Sequence, residues 1–392
     1  MRKQRAHRPS TAAAKTAEVG SQAALALSAF ALEDPRGSSS VSLLKALHIL
    51  TRDGQLNQDS RRKLKQVNHL IQLMTEPLRQ CWAGSGWSAL EGAPIPNTPA
   101  NVPASTSANA LPKPLVLVDH GCGKSYLGFM LHEQFCGERA AIPLEIIGIE
   151  TRLELVEHAK ALAQELNFKG MDFLNISAKA SGSSALLPRR VDVVTALHAC
   201  DTASDDAIEF ALAKKAQLVF LVPCCQAELA AKLRAGKAKT LAKTPLAELW
   251  RHPLHTREMG SQLTNVLRCL YLESQGYKVS VTELVGWEHS MKNELITATF
   301  TGQCKRSAAH RLVALLAQFG LEGMMLERYP RVQAVLQASA QSTGANPGHA
   351  LGLDQDQNQN QNQNQAEEQN NEEGLTALSP GLLPVPVPVI AP

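Results

Sequence analysis

The sequence is short of aromatic residues and has no long apolar run. Phe, Trp and Tyr make up 4% of its 392 residues, whereas hydrophobic residues together make up 44%, so aliphatic side chains would supply most of a core. Because no stretch of about 18 consecutive apolar residues occurs, we expect no membrane span. The formal net charge of +3 is too small to indicate a nucleic-acid-binding protein by itself.

Cysteines are present but follow no pattern. The eight cysteines are scattered, without the density of a disulfide scaffold or a paired Cys-x-x-Cys arrangement. We therefore predict reduced thiols in a cytoplasmic protein without a bound metal. A zinc site assembled from His198, Cys200, Cys224 and Cys225 is sterically conceivable, but no ligand spacing supports it.

One stretch, residues 114–129, has the pattern of a strand, a glycine turn and a helix. The apolar strand ends in Asp119, and Gly121 and Gly123 form a turn that lets a ligand approach the backbone. A phosphate-binding P-loop would need glycine in place of Val118, and a dinucleotide fingerprint would need glycine in place of Tyr126. The remaining pattern, Asp-x-Gly-x-Gly after a strand, is typical of methyltransferases that use S-adenosylmethionine (SAM).

The next two predicted strands carry groups suited to an adenosine ligand. Residues 144–150 form an apolar run that ends in Glu150, whose carboxylate can accept hydrogen bonds from both ribose hydroxyls. The alternative is a helix-capping acid that shares this role with Thr151. In the third strand, Asp172 would face the exocyclic amine of an adenine and Phe173 would offer an apolar wall.

The fourth and fifth predicted strands are followed by reactive side chains. His198 and Asp201 follow the fourth strand, and Cys224 and Cys225 close the fifth, residues 218–225. Because the carboxyl ends of strands in an open α/β sheet line one cleft, these groups should converge there with the acids of the first two strands. The alternatives are a histidine that bonds only to the backbone and cysteines that fill small spaces in the core.

Residues 277–285 and 294–301 are predicted as the strands of an antiparallel hairpin after a helix at 262–274. Such a hairpin distinguishes a SAM-methyltransferase sheet from the all-parallel sheet of a dehydrogenase. The predicted fold class is therefore α/β: a Rossmann-like, class I SAM-methyltransferase fold. Its seven-stranded, mostly parallel sheet would carry a closing antiparallel hairpin and a helical N-terminal lead-in.

Composition divides the chain into segments that differ in their capacity to fold. We predict a disordered basic arm at 1–40, a helical lead-in at 41–82, a flexible linker at 83–113, the methyltransferase domain at 114–302, C-terminal helices at 303–340 and a disordered low-complexity tail at 341–392.

A basic insert, residues 227–257, is predicted on the rim of the cleft between the fifth strand and the next helix. Such an insert is either a surface for the phosphates of an RNA or a solvated helix face. Its cations are Lys232, Arg234, Lys237, Lys239, Lys243, Arg251 and Arg257.

The segments DHGCGKSYLGF, ALHACDTASDDA, VPCCQ and EHSMKNELITA occur in this order. Together they resemble the methyltransferase-domain family found in many bacterial SAM-dependent methyltransferases, which includes the glutathione S-transferase C-terminal domain-containing protein and methyltransferase-like relatives. The resemblance covers about residues 60–302. It implies contact with SAM from Asp119, Gly121, Gly123, Glu150, Asp172 and the backbone near Leu197 and His198. It places the reaction centre at His198, Asp201, Cys224 and Cys225.

The blocks after the fourth and fifth strands also look like those of the transfer-RNA 2′-O-methyltransferases that modify the acceptor stem. In that family glycine stands in place of Asp201 and histidines follow the cysteine pair. The resemblance therefore supports the cofactor more than the acceptor.

Two classes of function follow from the sequence. An enzyme would transfer a methyl group from SAM to an acceptor, with RNA as the candidate, and His198 or Asp201 would be the base for a hydroxyl or amide acceptor. The absence of an Asn/Asp-Pro-Pro-aromatic signature argues against exocyclic nitrogens. The alternative is a catalytically inactive SAM-fold module that binds RNA or protein through the basic insert. The enzyme is favoured by four intact residues: Asp119, Gly121, Gly123 and Glu150.

Overall fold

The computed structural model describes residues 39–55, 58–83, 113–136, 142–197, 199, 201–223, 227–235, 245–284 and 294–342. The chain divides into two compact units, residues 1–339 and 340–392. The predictions of a disordered arm, a flexible linker and a disordered tail fall almost wholly outside the described residues, and they stay predictions.

One sheet of seven strands organises the first unit, in the order β3-β2-β1-β4-β5-β7-β6. The pairs among β1 to β5 are parallel, whereas β7 pairs antiparallel with both β5 and β6. This arrangement confirms the predicted fold class, including the closing hairpin. The strands are β1 (Leu115–His120), β2 (Leu144–Glu150), β3 (Met171–Asn175), β4 (Val193–Ala196), β5 (Leu218–Leu221), β6 (Tyr277–Glu283) and β7 (Glu294–Phe300).

Helices precede, connect and follow the strands. Before the sheet lie α1 (Ser39–Ala46) and α2 (Gln58–Ala83). The connections contain α3 (Tyr126–Phe135), α4 (Leu153–Glu165), α5 (Ala178–Ser181), α6 (Ala203–Lys214), α7 (Glu228–Ala235), a 3-10 helix (Pro245–Trp250) and α8 (Pro253–Ser274). After the hairpin come α9 (Arg306–Gln318), α10 (Met324–Arg328) and α11 (Val332–Ser342).

Both faces of the sheet are covered by helices, as the alternation of side chains along a strand requires. Leu117 belongs to a core that includes apolar residues of α1 to α4, and its neighbour Val118 belongs to a second core with α6, α8 and α9. The N-terminal helices are therefore part of the main core. They are also tied to the hairpin end of the sheet, because Nδ1 of His69 in α2 hydrogen-bonds to the carbonyl oxygen of Leu284.

No helix in the described ranges combines the length and apolarity needed to cross a lipid bilayer.

Candidate active site

The glycine turn after β1 is pinned to the end of the neighbouring strand. The backbone N–H groups of Gly121 and Cys122 both donate to the carbonyl oxygen of Ile149, at 2.9 and 3.0 Å. Gly121 and Gly123 have φ angles of +73° and +57°, a region in which a residue with a Cβ is strained. The turn thus brings bare backbone to the carboxyl edge of the sheet.

Glu150, the last residue of β2, faces this turn. Its Oε2 accepts the N–H of Gly123 at 3.0 Å, and its Oε1 accepts the N–H groups of Thr151 and Arg152 at 2.9 and 3.1 Å. Burial alone would raise the pKa of Glu150, but the hydrogen bonds and charge of Arg152, with the Thr151 hydroxyl, outweigh it and lower the pKa to about 2. Glu150 is therefore a fixed carboxylate beside the glycine turn.

Asp119, at the end of β1, lies beneath the same turn. Its side chain is 2% exposed, and its Oδ1 accepts a hydrogen bond from the Thr195 hydroxyl at 2.8 Å. Burial raises the pKa of Asp119 to about 6, with the Thr195 hydrogen bond acting in the opposite direction. Thr195 was not singled out by sequence reasoning. Its Cα is paired in register with Asp119 across β1 and β4, a pairing that appears only once the strand order is known.

His120, between Asp119 and the turn, points to the opposite face of the sheet. Its ring is buried with its centroid 5.4 Å from that of Phe210, and its Nε2 lies 3.2 Å from the Ser181 hydroxyl oxygen. Burial lowers the pKa of His120 to about 4, so the ring is neutral at physiological pH. Asp119 and His120 are thus adjacent buried groups whose pKa values are displaced in opposite directions.

The structure does not bring Asp172 or Phe173 to the cleft edge. β3 ends at Asn175, which pairs in register with Glu150, and Asp172 lies three residues earlier, opposite Ile147. Asp172 is exposed at a cavity of about 460 Å³ between α4 and β3. The position facing Glu150 belongs instead to Asn175, whose Nδ2 donates to the carbonyl oxygen of Glu150 at 3.1 Å.

Phe173 is a core residue that supports the glycine turn from below. It is 1% exposed. A Cβ added at Gly148 would lie 2.5 Å from the ring of Phe173 and 2.9 Å from Sγ of Cys122. Gly148 therefore leaves room for the ring beneath the turn. The sequence reading placed both β3 residues too far along the strand, because a short strand gives no local mark of its carboxyl end.

The loop after β4 reaches the glycine turn. Leu197 is buried, and a Cβ built on Gly121 would lie 3.8 Å from Cβ of Ala199. Four of the residues that sequence reasoning placed beside this contact lie outside the described residues: His198, Cys200, Cys224 and Cys225. Their roles stay predictions. Among the described residues, no group of three or more His, Cys, Asp or Glu side chains could hold a metal ion.

Asp201 joins the loops that follow β4 and β5. Its Oδ1 accepts the backbone N–H groups of Ala227 and Glu228, both at 3.0 Å. Because Glu228 is the first residue of α7, Asp201 caps that helix from 27 residues upstream. The φ angle of Asp201 is +52°, a conformation that Asp and Asn tolerate better than most residues. These two hydrogen bonds tie the loop after β4 to the start of α7.

Arg268 of α8 holds the same loop from inside the protein. The side chain is 1% exposed. Nε and Nη2 donate to the two carboxylate oxygens of Asp205, at 2.9 and 2.7 Å, and Nη2 also donates to the carbonyl oxygen of Asp201 at 2.7 Å. Sequence reasoning missed Arg268, since nothing nearby in the sequence marks it as buried.

Part of the basic insert is paired with acidic residues inside and outside it. The ion pairs are Lys232 with Glu327 at 2.9 Å, Arg251 with Glu248 at 3.0 Å and Arg257 with Glu258 at 3.1 Å. Arg234 is exposed, and Lys237, Lys239 and Lys243 lie outside the described residues.

Residues 62–232 match the model of a family described as a methyltransferase domain. The match supports the predicted methyltransferase class and, with the glycine turn and Glu150, SAM as the cofactor. The predicted association with the glutathione S-transferase C-terminal domain-containing protein, and the cytoplasmic location, stay predictions. No curated protein sequence matches the chain.

The solved structures to which this chain shows similarity share little sequence with it. The fibrillarin pre-rRNA processing protein of Methanococcus jannaschii is 10% identical over 48% of this chain and 68% of its own, with a TM-score of 0.29. A SAM-dependent methyltransferase from Aquifex aeolicus is 19% identical over 48% of this chain and 82% of its own, also with a TM-score of 0.29. Similarity at this level supports no conclusion about this chain.

Proposed function

We propose that this protein is a SAM-dependent methyltransferase whose acceptor is RNA. The observation that carries the cofactor part is the pairing of Gly123 with Glu150. A bare backbone N–H and a fixed carboxylate lie 3.0 Å apart at the carboxyl edge of the sheet. A nucleoside with a free ribose diol fits such a site, because the carboxylate accepts hydroxyl hydrogens while the glycines leave room for the ligand.

When bound, SAM would supply an electrophilic methyl group on a sulfonium sulfur. A nucleophile of the acceptor would form the new bond to that carbon as the carbon–sulfur bond breaks, and a hydroxyl acceptor would also release its proton. The chain's part is then to position the two reactants and, for a hydroxyl, to take the proton. Since Asp201 already accepts two backbone N–H groups, we assign the role of base to His198 and a positioning role to Asp201. Cys224 and Cys225 are proposed to line the acceptor side.

The choice of RNA rests on the basic insert. With Lys232, Arg251 and Arg257 paired to acids, the cations proposed to meet phosphates are Arg234, Lys237, Lys239 and Lys243. The proposal would be replaced if the methyl acceptor were a protein, or if the protein were a binding module without catalytic activity.

The test begins with calorimetric titration of SAM into the intact protein and into Gly121→Arg. The new side chain would fill the space between the turn and Ala199, so binding should be lost. Gly302→Arg is the matched control. Its φ of +75° imposes a similar backbone strain, while a Cβ there has nothing within 4 Å. No saturable binding by the intact protein at millimolar SAM would contradict the proposal.

Transfer of a labelled methyl group to total RNA and to total protein then tests the acceptor. Label in RNA that depends on the four proposed cations, assayed with all four replaced by glutamine, supports the RNA proposal. Label in protein alone would contradict it.

A further inference from the structure

Both oxygens of Glu150 are covered by the side chain of Arg152. Nε of Arg152 lies 3.1 Å from Oε1, and Nη2 lies 3.1 Å from Oε2. The same two oxygens accept the N–H groups of Gly123, Thr151 and Arg152 and the Thr151 hydroxyl. Nη2 would also lie 3.9 Å from a Cβ added at Gly123. The guanidinium therefore lies beside the glycine turn as well as on the carboxylate.

This arrangement leaves Glu150 no free acceptor position. An ionised carboxylate offers about four lone-pair sites, and the hydrogen bonds given above already exceed that number. Two ribose hydroxyls could bind only if other donors left. The backbone donors are fixed by the glycine turn and by the start of α4, so the donors that can move are the Thr151 hydroxyl and the guanidinium of Arg152. The hydroxyl reaches Oε1 alone, whereas the guanidinium donates to both oxygens. Two ribose hydroxyls could therefore take the places of the two guanidinium N–H groups, one on each oxygen.

The exposed fractions of the Arg152 and Glu150 side chains are consistent with a mobile arginine and a fixed carboxylate. The Arg152 side chain is 60% exposed, whereas that of Glu150 is 6% exposed. A guanidinium that swings outward from this position would be hydrated at once, and no buried charge would be left without a partner. The carboxylate would keep its three backbone hydrogen bonds and stay in place.

We propose that Arg152 is a latch on the cofactor site, an inference that rests on the proposed function. It occupies Glu150 in the cofactor-free protein and must leave the carboxylate before the ribose hydroxyls of the cofactor can bind. An arginine two residues after the ribose-binding acid thereby lowers the affinity for the cofactor. Exposed ion pairs of this kind contribute little, so its removal should tighten binding by about two- to fivefold.

The test compares S-adenosylhomocysteine binding by the intact protein, Arg152→Gln and Arg311→Gln, measured by calorimetry at low salt. Arg311 is the matched control because its side chain is also 60% exposed and pairs with an acid, Glu273, away from the glycine turn. We expect tighter binding for Arg152→Gln and no change for Arg311→Gln. Arg152→Lys, which keeps the charge but lacks the two-pronged geometry, should fall between the intact protein and Arg152→Gln.

An analogue without the 2′ and 3′ hydroxyls separates the latch from a general effect of charge. It has no need of Glu150, so Arg152→Gln and the intact protein should bind it equally. Thermal denaturation of each variant checks that the fold is retained. Equal or weaker binding of S-adenosylhomocysteine by Arg152→Gln, with binding by the intact protein preserved, would overturn the latch alone. Absence of binding by every form would overturn the proposed function together with it.

Discussion

The two halves of the cleft edge are held together by different means. On the β1–β2 side, the contacts join backbone N–H groups to an acid at a strand end, and the glycine turn and Glu150 are only 27 residues apart. On the β4–β5 side, the loop is held by Arg268, which lies 67 residues from Asp201. Both halves use an acid that accepts backbone N–H groups about 27 residues away in the sequence. The β4–β5 half depends in addition on a buried arginine from a more distant helix.

The comparison indicates which half can change with the substrate. A cofactor common to many enzymes fits a cradle made of backbone groups, which depends on few side chains. Loops tied by one buried arginine can vary in sequence while their anchor stays fixed. We therefore expect substitutions to separate into those that affect cofactor affinity and those that affect stability and acceptor turnover.

Arg268→Met should have the largest effect. It leaves the Asp205 carboxylate buried without its partner and frees the carbonyl of Asp201, which should lower the free energy of unfolding by about 3–5 kcal/mol. Urea denaturation measures this loss. At temperatures where the variant is folded, affinity for S-adenosylhomocysteine should be unchanged.

A double variant tests whether the loss of stability in Arg268→Met comes from the unpaired charge of Asp205. Combining Arg268→Met with Asp205→Leu removes both charges and should recover more than half of the lost stability. If cofactor affinity falls in parallel with stability, the two halves of the cleft are coupled and the comparison fails.

Asp119→Asn should have the next largest effect, and it depends on pH. The pKa of Asp119 is about 6 in the folded protein, against an ordinary value of 3.8. Between pH 3.8 and pH 6, the folded protein therefore keeps a proton on Asp119 that the unfolded chain has released. The contribution of Asp119 to stability therefore falls as pH rises from about 4 to 6 and is then constant. At pH 7 the asparagine variant should be more stable by up to about 3 kcal/mol, and this gain should vanish near pH 4.

The pH dependence that His120 gives to the stability has the opposite sign to that of Asp119. With a folded pKa of about 4, its contribution is full above its ordinary pKa of 6.5 and is lost as pH falls toward 4. Without Asp119, the loss of stability on acidification should therefore be steeper. Urea denaturation from pH 4 to 8 checks both slopes, with Glu248→Gln, on an exposed residue, as the control for a lost negative charge. A difference between Asp119→Asn and the intact protein that does not vary with pH would contradict the assignment.

Most of the fold could be predicted from the sequence, because apolar runs and amphipathic segments alternate along the chain. The bounds of β2, Leu144–Glu150, are those predicted, and the hairpin strands differ by only one or two residues. The helix predicted at 262–274 begins earlier, at Pro253. Its first turns carry charged residues that were assigned to the basic insert, although proline is favoured at the first position of a helix.

The candidate site could be predicted only where a recognisable motif marks its residues. Gly121, Gly123 and Glu150 are marked by spacing and strand ends, and the structure places them together. The role of Asp201 depends on the start of α7, at a similar separation of 27 residues, but no glycine turn or strand end marks that pair in the sequence. The role of Arg268 depends on partners more than 60 residues away, which no local pattern shows. Arg152 could have been noticed, since it follows Glu150 by two residues, but its position on both carboxylate oxygens required the structure.

Substitutions of Asp201 should have the smallest effect on stability, and they distinguish a positioning role of this residue from a catalytic one. Asp201→Ala removes the cap of α7 and places alanine at a φ of +52°, which together should lower the free energy of unfolding by about 2 kcal/mol. Asp201→Asn keeps an acceptor oxygen for Ala227 and Glu228 and tolerates the same φ, so its stability should be close to that of the intact protein. Asp201→Gly relieves the backbone strain without restoring the cap and separates the two contributions. Urea denaturation ranks the variants, and initial rates of labelled methyl transfer at saturating SAM complete the comparison. If Asp201 only positions the loop, Asp201→Asn should keep most of the rate of methyl transfer. If instead the rate of Asp201→Asn is as low as that of Asp201→Ala, Asp201 is the base and this half of the cleft contains a catalytic carboxylate.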